Sequence, residues 1–257
     1  MGDIIIINNV TLANYTQISS EREKRGLKFR LSLYMVDPGR LIVTIPTEVH
    51  EVLHRFLNDS ISSITIYGMG MPRWQLRSVG SATHTNLDDA GGVRSWGEGD
   101  SCLKPHVRPP NSFPTVVIEV SYSQTWPSLR AKARWWFTAS HFDVKIVILA
   151  KSDHHNGIII IEKWRAVEAA LQPGVRTQAQ ANAPAWQPAC DQRIHITRIG
   201  NGNPTDPASY HVTDPLCLKF EDVFLRQPVG QLEGDIVIDI AELQAYAVTF
   251  WLANVNE

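Results

Sequence analysis

The sequence predicts an α/β protein in which a mixed central sheet is flanked by helices and extended by β-hairpins. Residues 115–122 (TVVIEVSY) form a continuous apolar stretch that is typical of a buried strand. Residues 127–140 place apolar side chains at helical spacing directly after it. Two more apolar stretches, DVKIVILAK and GIIIIEKW, follow and predict a hairpin through SDHHNG. This strand, helix, strand, strand order favours a sheet with a helix packed on one face.

The region before this unit predicts strands and one amphipathic helix. IIIINNV, LKFRLSLYMV and RLIVTI are typical of strands, and the charged stretch SSEREKRG predicts a bend between the first two. Residues 46–59 predict a helix because Val49, Val52, Leu53 and Phe56 recur at helical spacing. SSITIYGM, which is rich in β-branched residues, predicts a further short strand.

The remaining segments predict loops, short strands and a C-terminal strand and helix. Residues 72–110 predict loops with short strands such as WQLRSVGSATH, and residues 166–192 predict a brief helix followed by a long loop. RIHITRIG, YHVTD and LCLKFEDVFL are strand-like, and GDIVIDIAELQAYAVTFWL predicts a strand that leads into a helix. Since neither a repeat nor a linker is evident, we expect one domain over 1–257, with a core at about 46–165 and a C-terminal extension at about 190–257.

Composition narrows the class of protein. The net charge of −2 gives no global basic field, and the three cysteines form no CxxC pair. An odd cysteine count without a signal peptide favours a reducing compartment, so we expect an intracellular protein of the cytoplasm or nucleus. No apolar run has the length that a membrane span needs, so we expect no membrane association.

Glu119 is out of place in its apolar strand, because an isolated ionised carboxylate is costly to bury. Side chains alternate across a strand, so one face is predicted to enter the core and the other to line a cleft. A lysine on the following helix, Lys132, borders the apolar stripe and can hold its ammonium over the second face. Glu119 is therefore expected to pair with Lys132, with a cation, or with both. The core face comprises Val116, Ile118 and Val120, and the cleft face Thr115, Val117, Glu119 and Ser121.

A divalent metal would need a second acid, because hard cations bind several oxygen ligands. Asp100, in GEGDSCLKP, is the nearest acid upstream of the strand. Asp88 and Asp89 are rivals, although an Asp before Gly-Gly is more typical of a turn. Glu48 on the first predicted helix is a possible further ligand, but a solvated helix surface is the better interpretation. A purely structural Glu119–Lys132 ion pair is the alternative to a metal site.

These residues lie in a pattern that resembles a known family. EGDSCLKP, PTVVIEVSYSQTWPSLRAKARWWF, DVKIVILA and IIIIEKW, in this order, resemble the restriction-endonuclease-like PD-(D/E)XK nuclease superfamily. PLCLKFEDVFLRQP and EGDIVIDIAELQAYA are similar to an uncharacterised fungal branch of that superfamily. The resemblance covers roughly 95–165 and 214–247. It implies a restriction-endonuclease-like mixed sheet with an acid on one strand and Glu-x-Lys on the next.

The resemblance also implies site residues. Asp100 matches the first acid and Glu119 the second, whereas Gly99 stands in place of the motif's proline and Ser121 in place of its lysine. Some branches carry the lysine on the following helix, where Lys132 lies. The implied cofactor is Mg²⁺ (or Mn²⁺), held by Asp100, Glu119 and the carbonyl of Val120. Asp100, Glu119 and Lys132 would be catalytic, with Lys132 orienting the water or stabilising the negative charge that develops.

The expected function is therefore metal-dependent hydrolysis of phosphodiester bonds in nucleic acid, with DNA favoured over RNA. Residues 71–135 contain eight basic and five acidic residues, which suits a weakly basic cleft. Two alternatives stay open: a catalytically inactive nuclease-fold module for binding or structure, and hydrolysis of another phosphoester. The sequence shows no base-reading motif and no signal for an oligomeric state.

Overall fold

The computed structural model describes residues 4–34, 39–80, 82–87, 92–153, 156–168 and 186–254. The helices are α1 (Leu12–Lys24), α2 (Glu48–Ser63), α3 (Trp126–Ala139), α4 (Phe220–Phe224) and α5 (Ile240–Asn254). The first strands are β1 (Ile4–Asn8), β2 (Arg30–Tyr34), β3 (Arg40–Thr44), β4 (Leu76–Ser78), β5 (Thr83–Leu87), β6 (Val93–Glu98) and β7 (Ser101–Pro105). The others are β8 (Val116–Ser121), β9 (Ile146–Asp153), β10 (Ile158–Glu168), β11 (Trp186–Arg198), β12 (Tyr210–Val212), β13 (Leu216–Leu218) and β14 (Ile236–Ile238).

A seven-stranded mixed sheet organises the molecule, with the strand order β12-β11-β10-β9-β8-β7-β4. Strands β8 and β9 are parallel, as a crossover through α3 requires, and β9, β10 and β11 are antiparallel neighbours. β13 and β14 form a separate two-stranded ribbon. The predicted α/β class, a mixed sheet flanked by helices with added hairpins, is confirmed. The predicted β9–β10 hairpin is also confirmed, although residues 154 and 155 of its turn lie outside the described residues.

The alternation of side chains along β8 builds a core on each face of this sheet. Val116, Ile118 and Val120 pack into one apolar cluster with residues of α2 and α5. Val117, on the opposite face, belongs to a second cluster with the apolar stripe of α3. Because β8 is covered on both faces, its sequence is a continuous apolar run rather than an alternating one.

A second, five-stranded sheet has the order β1-β3-β2-β6-β5. Its pairs are antiparallel, and it packs with α1 around a third apolar cluster that includes a stacked Tyr15 and Trp96. Strand β2 of this sheet carries Arg30, and β6 leads directly into Asp100. The five-stranded sheet therefore brings Arg30 close to Asp100, beside the central sheet.

Four local predictions are wrong, and each has a physical reason. The charged stretch SSEREKRG is mostly the end of α1, which begins at a capping box between Thr11 and Asn14. SSITIYGM extends α2 into a π-helical turn, Ile64–Gly68, in place of a strand. Trp186–Arg198 is one long strand because it pairs with β10, so the predicted loop ends earlier than residue 192. LCLKFEDVFL divides into β13 and the short helix α4.

None of the helices in the described part of the chain is both long and apolar enough to cross a membrane.

Candidate active site

Glu119 is buried under α3, with a relative exposure of 2%. Lys132 Nζ lies 3.2 Å from its Oε2, and Trp136 Nε1 donates a hydrogen bond to its Oε1 at 2.7 Å. Residues four apart share a helix face, so α3 presents an ammonium and an indole together to the strand. The open cleft predicted for this strand face is therefore wrong, because α3 covers it completely.

Asp100 lies in the turn between β6 and β7, beside Val120, which follows Glu119 on β8. Its Oδ2 accepts a hydrogen bond from the amide of Val120 at 2.7 Å, and its relative exposure is 3%. Arg30 Nη1 lies 3.4 Å from Oδ1, and His50 Nε2 lies 3.4 Å from Oδ2. The structure thus brings Asp100 to the backbone between Glu119 and Ser121, through the amide of Val120. Their roles as metal ligands stay a prediction.

The two departures from the nuclease motif each have a local cause. A Cβ at Gly99 would lie 2.8 Å from Cys102 Sγ and 3.3 Å from the Trp136 ring, so a proline would displace the packing around α3. Ser121 is fully buried, and its Oγ accepts a hydrogen bond from the amide of Gln124 at 2.7 Å. Position 121 therefore shapes the turn from β8 into α3, and Lys132 brings an ammonium to Glu119 from the helix instead.

The two buried acids have opposite electrostatic environments. Burial favours the neutral form of Asp100, but His50 and the positive charges of Arg30 and Lys132 outweigh it and hold the pKa of Asp100 well below its ordinary value. Burial raises the pKa of Glu119, and the nearby charge of Asp100 raises it further against the opposing effect of Lys132 and Trp136. The pKa values of the two neighbouring carboxyls are therefore shifted in opposite directions, an arrangement common in catalytic sites.

A second group of polar side chains lies on α2, next to Asp100. Ligand atoms of His50, Glu51 and His54 all lie within 4.8 Å of one another and could hold a metal ion. Burial lowers the pKa of His54, which favours the neutral ring. Although burial opposes it, contacts with His54 and Arg30 lower the pKa of Glu51 to about 2. The strand acids do not point to this group, but the stretch HEVLH does, since two histidines four apart with a Glu between them form a metal-binding pattern on a helix.

Two cavities border this group. One of about 340 Å³ is lined by Asp100, Ser101, His54 and Arg30 among others, and one of about 750 Å³ lies on the other side of Arg30. Both include Glu51 and Arg55 in their walls. Basic side chains also line the larger cavity, namely Arg22 and Lys28. Asp100 is thus part of the wall of the smaller cavity, whereas neither lining includes Glu119 or Lys132.

The remaining predicted ligands are placed less centrally. Glu48 is exposed in the first turn of α2 and lines the larger cavity, as expected for a solvated helix surface. Asp88 and Asp89 lie outside the described residues.

Comparison with known proteins gives little information about function. No protein-family model matches the chain, and no curated protein matches it. Among solved structures, one match is a protein described as a putative nuclease belonging to DUF820 from Anabaena variabilis ATCC 29413. The match has a TM-score of 0.34 and 13% sequence identity, and it covers 47% of this chain and 66% of that one. The chemistry of the site therefore has to support any functional proposal.

Proposed function

We propose that this protein is a metal-dependent nuclease-like enzyme that hydrolyses phosphodiester bonds of nucleic acid, DNA in preference to RNA. The observation that carries the proposal is the buried acid pair, Asp100 and Glu119, with Lys132 at 3.2 Å from the second acid. Two carboxylates of opposite pKa shift beside one ammonium are costly to maintain in a core, and a reaction gives a reason for them.

The donor set fits a hard divalent cation. Asp100 Oδ1 is buried without a hydrogen-bond partner among the described residues, and carboxylate oxygens are the ligands that Mg²⁺ and Mn²⁺ prefer. Asp100, Glu119 and the backbone carbonyl of Val120 would hold the ion. When bound, Mg²⁺ supplies an activated water and neutralises charge on the phosphate.

The protein's own residues have separate tasks in this proposal. Lys132 keeps its ammonium against Glu119 at low exposure, where a positive charge stabilises developing negative charge more strongly than in water. Arg55 and Lys28 line the cavity next to the site and can contact phosphates of a strand that lies there. Trp136 fixes the orientation of Glu119 through its indole hydrogen bond.

A second function, an inactive nuclease-fold module for binding or structure, has one observation in its favour. Glu119 has a relative exposure of 2%, and it lines neither of the two cavities beside Asp100. Catalysis therefore requires α3 to move away from β8 by enough to admit an ion and a phosphate. A protein without that motion would keep the pair as a structural contact.

A cleavage assay separates these two functions. Purified protein is incubated with single- and double-stranded DNA and RNA, with Mg²⁺ or Mn²⁺ and with EDTA. We expect metal-dependent cleavage, its loss in Asp100→Asn, and its retention in Asp143→Asn, a control at a half-exposed acid that pairs with Arg108. Absence of cleavage of all four substrates with either metal would favour the inactive module.

A further inference from the structure

Three side chains of α2 surround a single cation from another sheet. The Arg30 guanidinium, from β2, lies 2.8 Å from Glu51 Oε1 through Nη2. The same Nη2 lies 3.2 Å from His54 Nε2, and Nη1 lies 3.4 Å from His50 Nδ1. Two imidazoles and one carboxylate therefore converge on one positive group, close in space to Asp100.

In a neutral tautomer, the ring nitrogens of His50 and His54 that face Arg30 would present lone pairs to it; His54 Nε2 also lies 3.3 Å from Glu51 Oε1. A guanidinium has only donors, so a neutral imidazole beside it is favoured with its acceptor nitrogen inward. The outer nitrogen of His54, Nδ1, lies 2.8 Å from Ser101 Oγ. His50 Nε2 lies 3.4 Å from Asp100 Oδ2 and makes no hydrogen bond among the described residues. An imidazole held from behind by a carboxylate or hydroxyl is the usual arrangement for a metal-binding histidine.

We propose that His50, Glu51 and His54 form a transition-metal site of the Zn²⁺ class, which the Arg30 guanidinium fills as an internal cation when no metal is bound. The ligand chemistry separates this site from the one proposed above, because imidazole favours Zn²⁺, Co²⁺ or Ni²⁺ and an all-oxygen set favours Mg²⁺. Two histidines and one glutamate are a known three-ligand set for Zn²⁺ that leaves a position open.

The Arg30 side chain has space to move into when a metal replaces its guanidinium. Its side chain lines both cavities, of about 750 and 340 Å³, so rotation about its own bonds can move the guanidinium out of the group. Arg30 Nε has no hydrogen-bond partner among the described residues, so no bond fixes that end of the guanidinium. Exchange of Arg30 for a metal would also change the contact between the five-stranded sheet and α2.

The test is a titration of the chelator-treated protein with Co²⁺, read by visible absorption, and with Zn²⁺, read by calorimetry. We expect one metal per chain. His54→Gln and His50→Gln should each weaken binding on the order of 100-fold or more, because even loss of an outer-shell partner costs 10–100-fold. His106→Gln, at an exposed histidine, is the matched control and should bind like the parent.

Two more variants keep the proposal separate from the nuclease proposal. Arg30→Gln removes the competing cation and should tighten Zn²⁺ binding, whereas Glu119→Gln should leave it unchanged while removing the effect of Mg²⁺. Circular dichroism and melting of each variant verify that it is folded. A parent without Co²⁺ bands or Zn²⁺ heat would overturn the proposal, and so would a folded His54→Gln variant that binds as tightly as the parent.

Discussion

Helix α3 covers two buried glutamates of the central sheet, and their surroundings are very different. Glu162, on β10, has no exposed surface and receives Arg130 through two hydrogen bonds of 3.0 and 2.6 Å. Arg193 Nη2 lies 2.8 Å from it, and Trp164 Nε1 donates a third hydrogen bond at 2.9 Å. These donors outweigh burial and lower the pKa of Glu162.

Glu119, on β8, has one ammonium, one indole and a second carboxylate nearby. Its pKa moves in the opposite direction, upward, because burial and Asp100 outweigh Lys132 and Trp136. Donors from α3, β10 and β11 therefore satisfy Glu162, whereas Glu119 is left short of positive charge. The comparison teaches that burial of a Glu in an apolar strand does not indicate a site, whereas a deficit of compensating charge does.

The largest expected difference is in catalysis. Lys132→Ala should slow cleavage on the order of 10²–10³-fold, as loss of one preorganised charge does, while metal binding stays nearly intact. Arg130→Ala, two residues earlier on the same helix, should alter the rate only within a few-fold because its guanidinium binds Glu162, the other buried glutamate. Single-turnover rates at saturating Mg²⁺ measure both. Equal losses in the two variants would remove the distinction between the two sides of α3.

The free energy of unfolding should depend more on Glu162 than on Glu119, which is the reverse of the order expected for catalysis. Glu162→Gln breaks a buried, multiply bonded ion pair and should cost about 3 kcal/mol. Glu119→Gln in the absence of metal should cost less than about 1 kcal/mol, because it removes a like charge from the neighbourhood of Asp100. Urea denaturation of both variants and the parent in EDTA gives the two values. A larger loss for Glu119→Gln would make the Glu119–Lys132 pair structural.

A pH effect on stability should arise at His84, near Glu119. His84 packs edge-on against Trp136, and burial followed by the charge of Lys104 lowers its pKa from 6.5 to about 4. The unfolded chain takes up a proton on His84 between these values and the folded chain does not, so stability should fall as the pH drops from 6.5 through 4. At 1.36 kcal/mol per pKa unit the loss approaches ~3 kcal/mol. Unfolding of the parent and His84→Phe across this range measures it, and a variant with the parent's slope would contradict the assignment.

The smallest effect should come from the outer partner of Glu162. Arg193 has a half-exposed side chain, at 49%, so its ion pair is well solvated. Arg193→Ala should cost less than about 1 kcal/mol because Arg130 keeps both of its hydrogen bonds to Glu162. Denaturation measures this loss too, and a cost near that of Glu162→Gln would mean that the surface partner holds the carboxylate.

Local patterns made part of this structure predictable. The apolar run of β8, the spacing on α3 and the β9–β10 hairpin are visible in the sequence because each is set by neighbours in the chain. The contact between Lys132 and Glu119 follows from the strand-helix connection itself. Trp186–Arg198 is a strand because of its partner β10, and such a non-local pairing leaves little trace in composition.

The site was only partly predictable for the same reason. Asp100 and Glu119 stand out in the sequence because each is an acid in or beside an apolar strand. Arg30 comes from a separate sheet, and its approach to α2 depends on tertiary packing that no local pattern encodes. The histidines of HEVLH could have been found from their spacing alone. Glu162 shows the opposite error. A buried acid after a run of isoleucines would predict a functional site, but in the structure its carboxylate is fully paired with donors.

The most direct test of the central claim is the change in melting temperature on adding Mg²⁺ to the EDTA-treated protein. The parent should melt at higher temperature with Mg²⁺, since a ligand at 100 times its Kd stabilises the folded state by about 2.7 kcal/mol. Glu119→Gln should melt near the parent without metal and show no rise, whereas Glu162→Gln should melt lower and keep the full rise. A parent that does not respond to Mg²⁺, or a Glu119→Gln variant that responds as the parent does, would contradict the assignment of the metal to Asp100 and Glu119.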